Sequence, residues 1–216
     1  MSVIGFYLDV VRALDEIHAP YMLVGAFAAS TYGLRRATFD VDILVDLGEP
    51  HFEALAARFP LPRYYADPLQ MRDSTRLGIM FNIIDTEQGA KADLVPLSRE
   101  PKYRHAFARR ARRTFQDETG TEFEAWCARP EDIIVGKLKA WSEGHSTKHP
   151  ADIRELLVFA LSGLGDEPID ADYIAAQAAA LGAQAMSLWN QLWKQAMTEV
   201  QGKPGRSDEG ESDDDA

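Results

Sequence analysis

The chain has 216 residues, 46% of them hydrophobic, enough for one domain or two small ones with a real core. Its formal net charge is −11, but six acids crowd into the terminal "SDEGESDDDA", so the remainder sits near −5. That acidity argues against a pure nucleic-acid binder, which relies on a large basic surface. The single cysteine, Cys127, excludes a disulfide within the chain, points to a reducing compartment, and is expected to be a small buried side chain.

Val3, Tyr7, Val10, Val11, Leu14 and Ile17 recur at helical spacing, which predicts a helix over 2–18 that Pro20 stops. The N-terminus has no basic leader and carries Asp9 within its apolar part, so no signal peptide is expected. No apolar run approaches about 18 residues, so no membrane span is expected either, and the expected location is the cytoplasm.

"YMLVG" then reads as a short buried strand ending at Gly25, and "AFAASTYGL" as a small-residue helix ending near Gly33. "ATFDVDILVD" is β-branched and alternating, hence a strand. "EPHFEALAARF" reads as a helix with Phe52, Leu55 and Phe59 inward, and "PLPRYYADPLQ" as a loop. "LGIMFNIID", "TEQGAK" and "ADLVPL" read as strand, turn and strand.

"YRHAFARRARRTF" is a basic stretch and "TEFEAWCA" a further candidate strand. "RPEDIIVGKLKAWSEG" starts as helices do, with Pro130 in the first turn and two acids behind it. Three more helices are predicted: "HPADIRELLVFALSG", "DADYIAAQAAALG" and "AQAMSLWNQLWKQAMTEV". In the last, Trp189 and Trp193 are expected to serve a core or a dimer face. The pattern is α+β: a small mixed sheet with helices over residues 1–128, a helical bundle over 129–201, and a disordered acidic tail over 202–216.

Asp40 and Asp42 share one face of their predicted strand, while Val41, Ile43 and Val45 share the core face. Two carboxylates then stand roughly 6–7 Å apart along the strand, and unpaired they would raise a pKa or destabilise the fold. A hard divalent cation, Mg²⁺ or Mn²⁺, resolves that conflict while keeping coordination sites for phosphate oxygens. Asp93, in the next predicted strand but one, supplies a third carboxylate. Two acids on one strand and one on a neighbour suit two-metal phosphoryl or nucleotidyl transfer. A D-x-D pair on a solvated strand edge is the competing reading, and Asp46 and Asp85 are read as solvated strand ends. Upstream, Gly25 and the small residues after it offer backbone N–H groups to a phosphate, and Arg36 can grip one bidentately. Ser30 and Thr31 are expected to face the helix surface.

Taken together, "VGAFAASTYGLRRATFDVDILVD" resembles the hallmark of the DNA-polymerase-β-like nucleotidyltransferases, and of the AbiEii-type, toxin-like bacterial members in particular. Gly25-Ala26, Arg36, Thr38, Asp40 and Asp42 match that pattern, and Asp93 falls where a third metal-binding carboxylate is expected. Downstream, "GKLKAW" and "STKHPADIRELL" match a second motif, placing Lys137, Lys148 and Asp152. The resemblance spans about residues 20–160. It departs at Ala26, where a second Gly or a Ser is usual, so no side-chain hydroxyl reaches the phosphates from that position.

The resemblance implies a metal-dependent transfer of NMP from an NTP to a hydroxyl, with release of pyrophosphate. Asp40, Asp42 and Asp93 would hold metal, and Asp93 would help activate the acceptor. Gly25, Ala26, Arg36, Thr38, Lys137 and Lys148 would hold the nucleotide, with Asp152 orienting Lys137 or Lys148. The acceptor would be an RNA such as a tRNA 3′ end, a protein side chain or an antibiotic hydroxyl. Arg104, Arg109, Arg110, Arg112 and Arg113, interleaved with aromatic rings, form a candidate RNA-binding surface, with a solvated basic helix or a partner surface as the other reading. A toxin of a toxin–antitoxin or phage-defence system, with a cognate antitoxin, is the implied setting. The alternative is a catalytically inactive nucleotide- or partner-binding module on the same fold.

Overall fold

The first helix, α1 (Val3–Glu16), forms where its spacing predicts it and buries Phe6, Tyr7, Val10, Val11 and Leu14. The computed structural model describes residues 3–35, 40–99, 103–116, 120–165 and 168–202. The tail beyond Gly202, read above as disordered, lies outside the described residues, as do Arg36 and Thr38. After α1 come β1 (Tyr21–Val24) and a short α2 (Gly25–Ala29), which tightens into a 3₁₀ turn at Ser30–Tyr32. The expected single small-residue helix is therefore two shorter pieces.

Strand β2 (Val41–Val45) and helix α3 (Glu49–Arg58) follow as predicted. The stretch read as a loop is instead a two-residue strand, β3 (Tyr64–Tyr65), and a helix, α4 (Pro68–Leu77). The helix has clear stop and start signals. Asp67 accepts hydrogen bonds from the Leu69 and Gln70 amides at 2.8 and 3.4 Å, Pro68 takes the first turn, and Gly78 ends it at φ +65°. Its apolar face is thin, with only Met71 and Ser74 buried while Leu69 and Leu77 stay exposed, so hydrophobic periodicity misses it.

β4 (Phe81–Asp85) and β5 (Ala90–Pro96) form the expected hairpin. Asp85 corrects the expectation of a solvated end, because it is fully buried. Its carboxylate accepts from Arg63 Nη2 at 2.9 Å and from the Glu87 and Gln88 amides at 3.0 and 3.2 Å. Burial works against its charge, but Arg63 and the two amides outweigh that and hold its pKa below the usual carboxylate range.

The basic stretch divides into α5 (Tyr103–Ala108) and an edge strand, β6 (Ala111–Gln116), paired antiparallel to β7 (Glu122–Cys127). Arginines on an edge strand discourage pairing with another sheet. They also hid the strand's alternation. Helices α6 (Pro130–Gly144), α7 (Lys148–Leu161), α8 (Ala171–Leu181) and α9 (Ala183–Gln201) are the last elements among the described residues, each near its predicted place.

The strands make one seven-stranded mixed sheet among the described residues, in the order β3-β4-β5-β2-β1-β7-β6. β2 runs antiparallel to β1 and parallel to β5. The class is thus α+β, with a helical C-terminal part. One apolar cluster joins the two parts, running from Phe6 and Ile43 to Ile134, Leu157 and Trp189. Trp189 belongs to that core, and Trp193 packs on it with ring centroids 5.4 Å apart. The junction is pinned where Ala128 N donates to Leu23 O at 2.9 Å and the Tyr32 hydroxyl donates to Ala128 O at 3.1 Å. Cys127 is buried as expected, and burial pushes its thiol up to about 12. No helix among the described residues is long and apolar enough to cross a membrane.

Gly33 and Gly89 separate two effects of positive φ. Gly33 (φ +87°) has no room for a Cβ, which would meet the Phe159 ring, whereas Gly89 (φ +63°) faces open space. Gly89→Ala should cost about 1–2 kcal/mol from backbone strain alone, and Gly33→Ala should cost clearly more in urea denaturation. Equal losses would mean that the Gly33–Phe159 contact does not hold α7 to the core.

Candidate active site

The parallel pairing of β2 and β5 sets Asp42 directly across from Asp93, one interstrand spacing of about 4.8 Å away at the backbone. Val24 of β1 and Asn82 of β4 complete that row. Two residues further along, Met22, Leu44 and Val95 form an apolar row on the same face. The opposite face carries Val41, Ile43, Ala92 and Leu94, all fully buried. The acids therefore stand on one face because the alternate positions are needed for the core.

This face floors a cleft of about 510 Å³, walled by residues of α5, α6 and the start of α7. Asp40, Asp42 and Asp93 all line it, as do Gly25, Ala26, Lys137 and Lys148. Arg36 and Thr38 lie outside the described residues. Asp152 is not in the lining but is buried behind it, where it accepts a 2.6 Å hydrogen bond from Lys137 Nζ. Both partners of this ion pair are buried, so the bond fixes where the Lys137 ammonium can go.

Gly25 is required by contact as well as by its φ of +69°. A Cβ there would lie 2.4 Å from Asp42 Oδ2, so only glycine lets this carboxylate sit against the β1–α2 turn. Ser30 and Thr31 take no part, since their hydroxyls donate back to Phe27 O and Ala28 O at 2.7 and 2.8 Å.

Two residues at the acids were not anticipated. Lys91 Nζ lies 3.0 Å from both Asp93 oxygens and 4.0 Å from Asp40 Oδ1, and Asn82 Nδ2 donates to Asp93 Oδ1 at 2.5 Å. The signal for Lys91 was present in "AKADLV", where it shares a strand face with Asp93. Asp93 raises the Lys91 ammonium above the usual lysine range. Burial, then Asp93 and Asp40, push Asp42 above the usual carboxylate range, with Lys91 and Lys137 opposing them. Lys139 and His149 also line the cleft and carried no sequence signal.

The arginine cluster lies apart from the cleft. None of its five residues lines the cleft, and four are committed within the fold. Arg109 pairs with Asp132 at 3.1 Å and Glu131 at 3.4 Å and lies over Tyr173. Arg110 lies over Phe107 and Trp126, Arg112 pairs with Asp15 at 3.2 Å, and Arg113 donates to the Tyr32 hydroxyl at 3.0 Å. Of the five, only Arg104, on α5, is exposed. The stretch is thus a short helix and an edge strand, with the other four arginines half-exposed and paired within the fold.

Among the described residues, no three His, Cys, Asp or Glu side chains already converge as a metal cage. The donor chemistry nonetheless fits a hard divalent ion, which takes one or two carboxylates and fills its other positions with water and phosphate oxygens. Lys91 already places a cation between Asp93 and Asp40, and the glycine cradle at Gly25 keeps Asp42 Oδ2 in the cleft.

No family model matches the sequence, and no curated protein matches it. Among solved structures, the chain is similar to an antigenic nucleotidyltransferase-like protein from Paracoccidioides brasiliensis, at 16% identity and TM-score 0.49, covering 87% of this chain and 91% of that one. It is also similar to ANT(2″)-Ia in complex with adenylyl-2″-tobramycin, at 17% identity and TM-score 0.45, covering 82% and 95%. At these levels the likeness carries no inference about function.

Two outcomes follow from the electrostatics. The folded chain holds a proton on Asp42 more tightly than the unfolded chain does, so the associated stability is present below an unfolded pKa of about 3.9 and lost as pH rises through the raised folded value. With divalent ions chelated, Asp42→Asn should therefore be more stable than wild type at pH 7, with the gap closing toward pH 4. A variant no more stable at pH 7 would contradict the crowding of charge. Lys137→Met, which removes the ammonium that Asp152 accepts from while Asp152 stays buried, should lose about 3–5 kcal/mol in urea denaturation, and Lys137→Met/Asp152→Leu should lose less than the two single losses added.

Proposed function

We propose that this chain is a metal-dependent nucleotidyltransferase, moving NMP from an NTP to a hydroxyl and releasing pyrophosphate. The observation that carries the reading is the meeting of Asp40, Asp42, Asp93, Gly25 and Lys137 in one cleft. Asp42 and Asp93, with Asp40 beside them, would hold Mg²⁺ or Mn²⁺, which when bound lowers the pKa of an attacking hydroxyl and offsets charge on the triphosphate.

The remaining work belongs to the chain's own groups. The Gly25–Ala26 turn brings backbone against the triphosphate. Lys137, held by Asp152, sets a fixed positive charge where negative charge grows on the departing pyrophosphate. The acceptor oxygen attacks the α-phosphorus, the bond from that phosphorus to the bridging oxygen breaks, and the hydroxyl proton leaves toward Asp93. Met22, Leu44 and Val95 offer an apolar floor for a base. Lys139 and Lys148, beyond Lys137 in the same lining, suit a phosphodiester acceptor, and we take an RNA 3′ end as that acceptor.

Purified protein incubated with Mg²⁺ or Mn²⁺, each α-³²P-labelled NTP and total RNA should transfer label to RNA. Asp42→Asn should lower the rate at least about a hundredfold, the scale expected when a transition-state contact is lost. Growth arrest on expression, abolished by Asp42→Asn, is the outcome expected of a toxin of this class. No label with any nucleotide and either metal, on RNA or on protein in a lysate, would favour an inactive binding module.

A further inference from the structure

Lys91 stands inside the acid cluster. The register that sets Asp42 across from Asp93 also sets Lys91 one step before Ala92, level with Asp40 one step before Val41. The result is a square of charge on one sheet face, with Asp40 and Lys91 on one side and Asp42 and Asp93 on the other. Asp93 Oδ1 accepts from both Asn82 and Lys91, and its Oδ2 accepts from Lys91. Three of the roughly four lone-pair positions of that carboxylate are thus already taken.

A metal ion approaching alone must compete with an ammonium for Asp93 and is repelled by its charge. A triphosphate changes this, because its oxygens give Lys91 new acceptors and release Asp93. We propose that Lys91 is a resident countercharge that makes binding of the divalent ion depend on the nucleotide. It holds the acids in place while the cleft lacks substrate, and moves to the polyphosphate when metal and nucleotide enter together. Lys91 thereby acts as a positioning residue that suppresses a metal-only complex. Its side chain is 47% exposed, so it has room to swing. This inference rests on the nucleotidyltransferase reading above.

The test is binding, with no turnover. Free Mn²⁺ is followed by electron paramagnetic resonance against wild type, Lys91→Met, Lys91→Arg and Asp42→Asn, first alone and then with each α,β-methylene NTP. Circular dichroism confirms folding of each. Wild type should bind Mn²⁺ weakly alone and much more tightly with one of the nucleotides. Lys91→Met should bind Mn²⁺ alone on the order of tenfold more tightly, since a unit charge a few ångströms from a divalent ion is no longer there. It should also lose most of the gain from nucleotide, and Lys91→Arg should restore the wild-type pattern.

If wild type shows the nucleotide-dependent Mn²⁺ site, and Asp42→Asn loses it, but Lys91→Met binds Mn²⁺ no more tightly than wild type, the Lys91 proposal fails and the enzyme reading stands. A Lys91→Met that does not fold, with Lys91→Arg behaving as wild type, would show a structural role and overturn the proposal as well. If wild type binds Mn²⁺ with none of the nucleotides, both fail together.

Discussion

Three carboxylates and one ammonium face each other across two parallel strands, and most of what is unusual in this fold answers to that crowding. Strand alternation forces it, because Val41, Ile43, Ala92 and Leu94 must point into the core. Asp42 and Asp93 are then left on the other face at matching register. Like charges this close oppose folding unless cations intervene. Lys91 is the one cation within the square itself, and Lys137 adds another in the same lining. Under the proposed reading, a divalent ion would offset the repulsion that remains.

The surrounding elements hold the acids where such a ligand could use them. Gly25 lets Asp42 lie against the β1–α2 turn, and any Cβ would displace it. The Lys137–Asp152 bond joins α6 to α7 and fixes a second positive charge over the cleft. The junction through Ala128, Leu23 and Tyr32 ties the helical part to the sheet, so the two walls of the cleft share one apolar core. The buried Asp85 ties the β4–β5 turn to Arg63 beside β3.

Much of this was legible in the sequence, and the parts that were not have physical reasons. The alternation of "FDVDILV" and the spacing to Asp93 gave the acid face, because a strand has a fixed two-residue repeat. Lys137 and Asp152 were visible through a motif that left open whether Asp152 pairs with Lys137 or Lys148, and the packing of α6 on α7 brings Lys137 to it and buries both. Helix α4 was missed because its apolar face is thin, although Asp67-Pro68 signalled its start. The intramolecular partners of the arginine run were not legible, because the carboxylates, hydroxyl and aromatic rings that Arg109, Arg110, Arg112 and Arg113 meet are distant in sequence or on another element. Lys91 was overlooked because a lone lysine in a strand reads as a solvent-facing residue until its neighbours are known.

Crystals grown with Mn²⁺ and an α,β-methylene NTP, with anomalous scattering recorded at the manganese edge, examine the central claim most directly. The account predicts anomalous density between the carboxylates of Asp42 and Asp93, with the triphosphate beside the Gly25 turn. Manganese found only outside the cleft, with Lys91 still seated on Asp93 and nucleotide bound elsewhere, would contradict it.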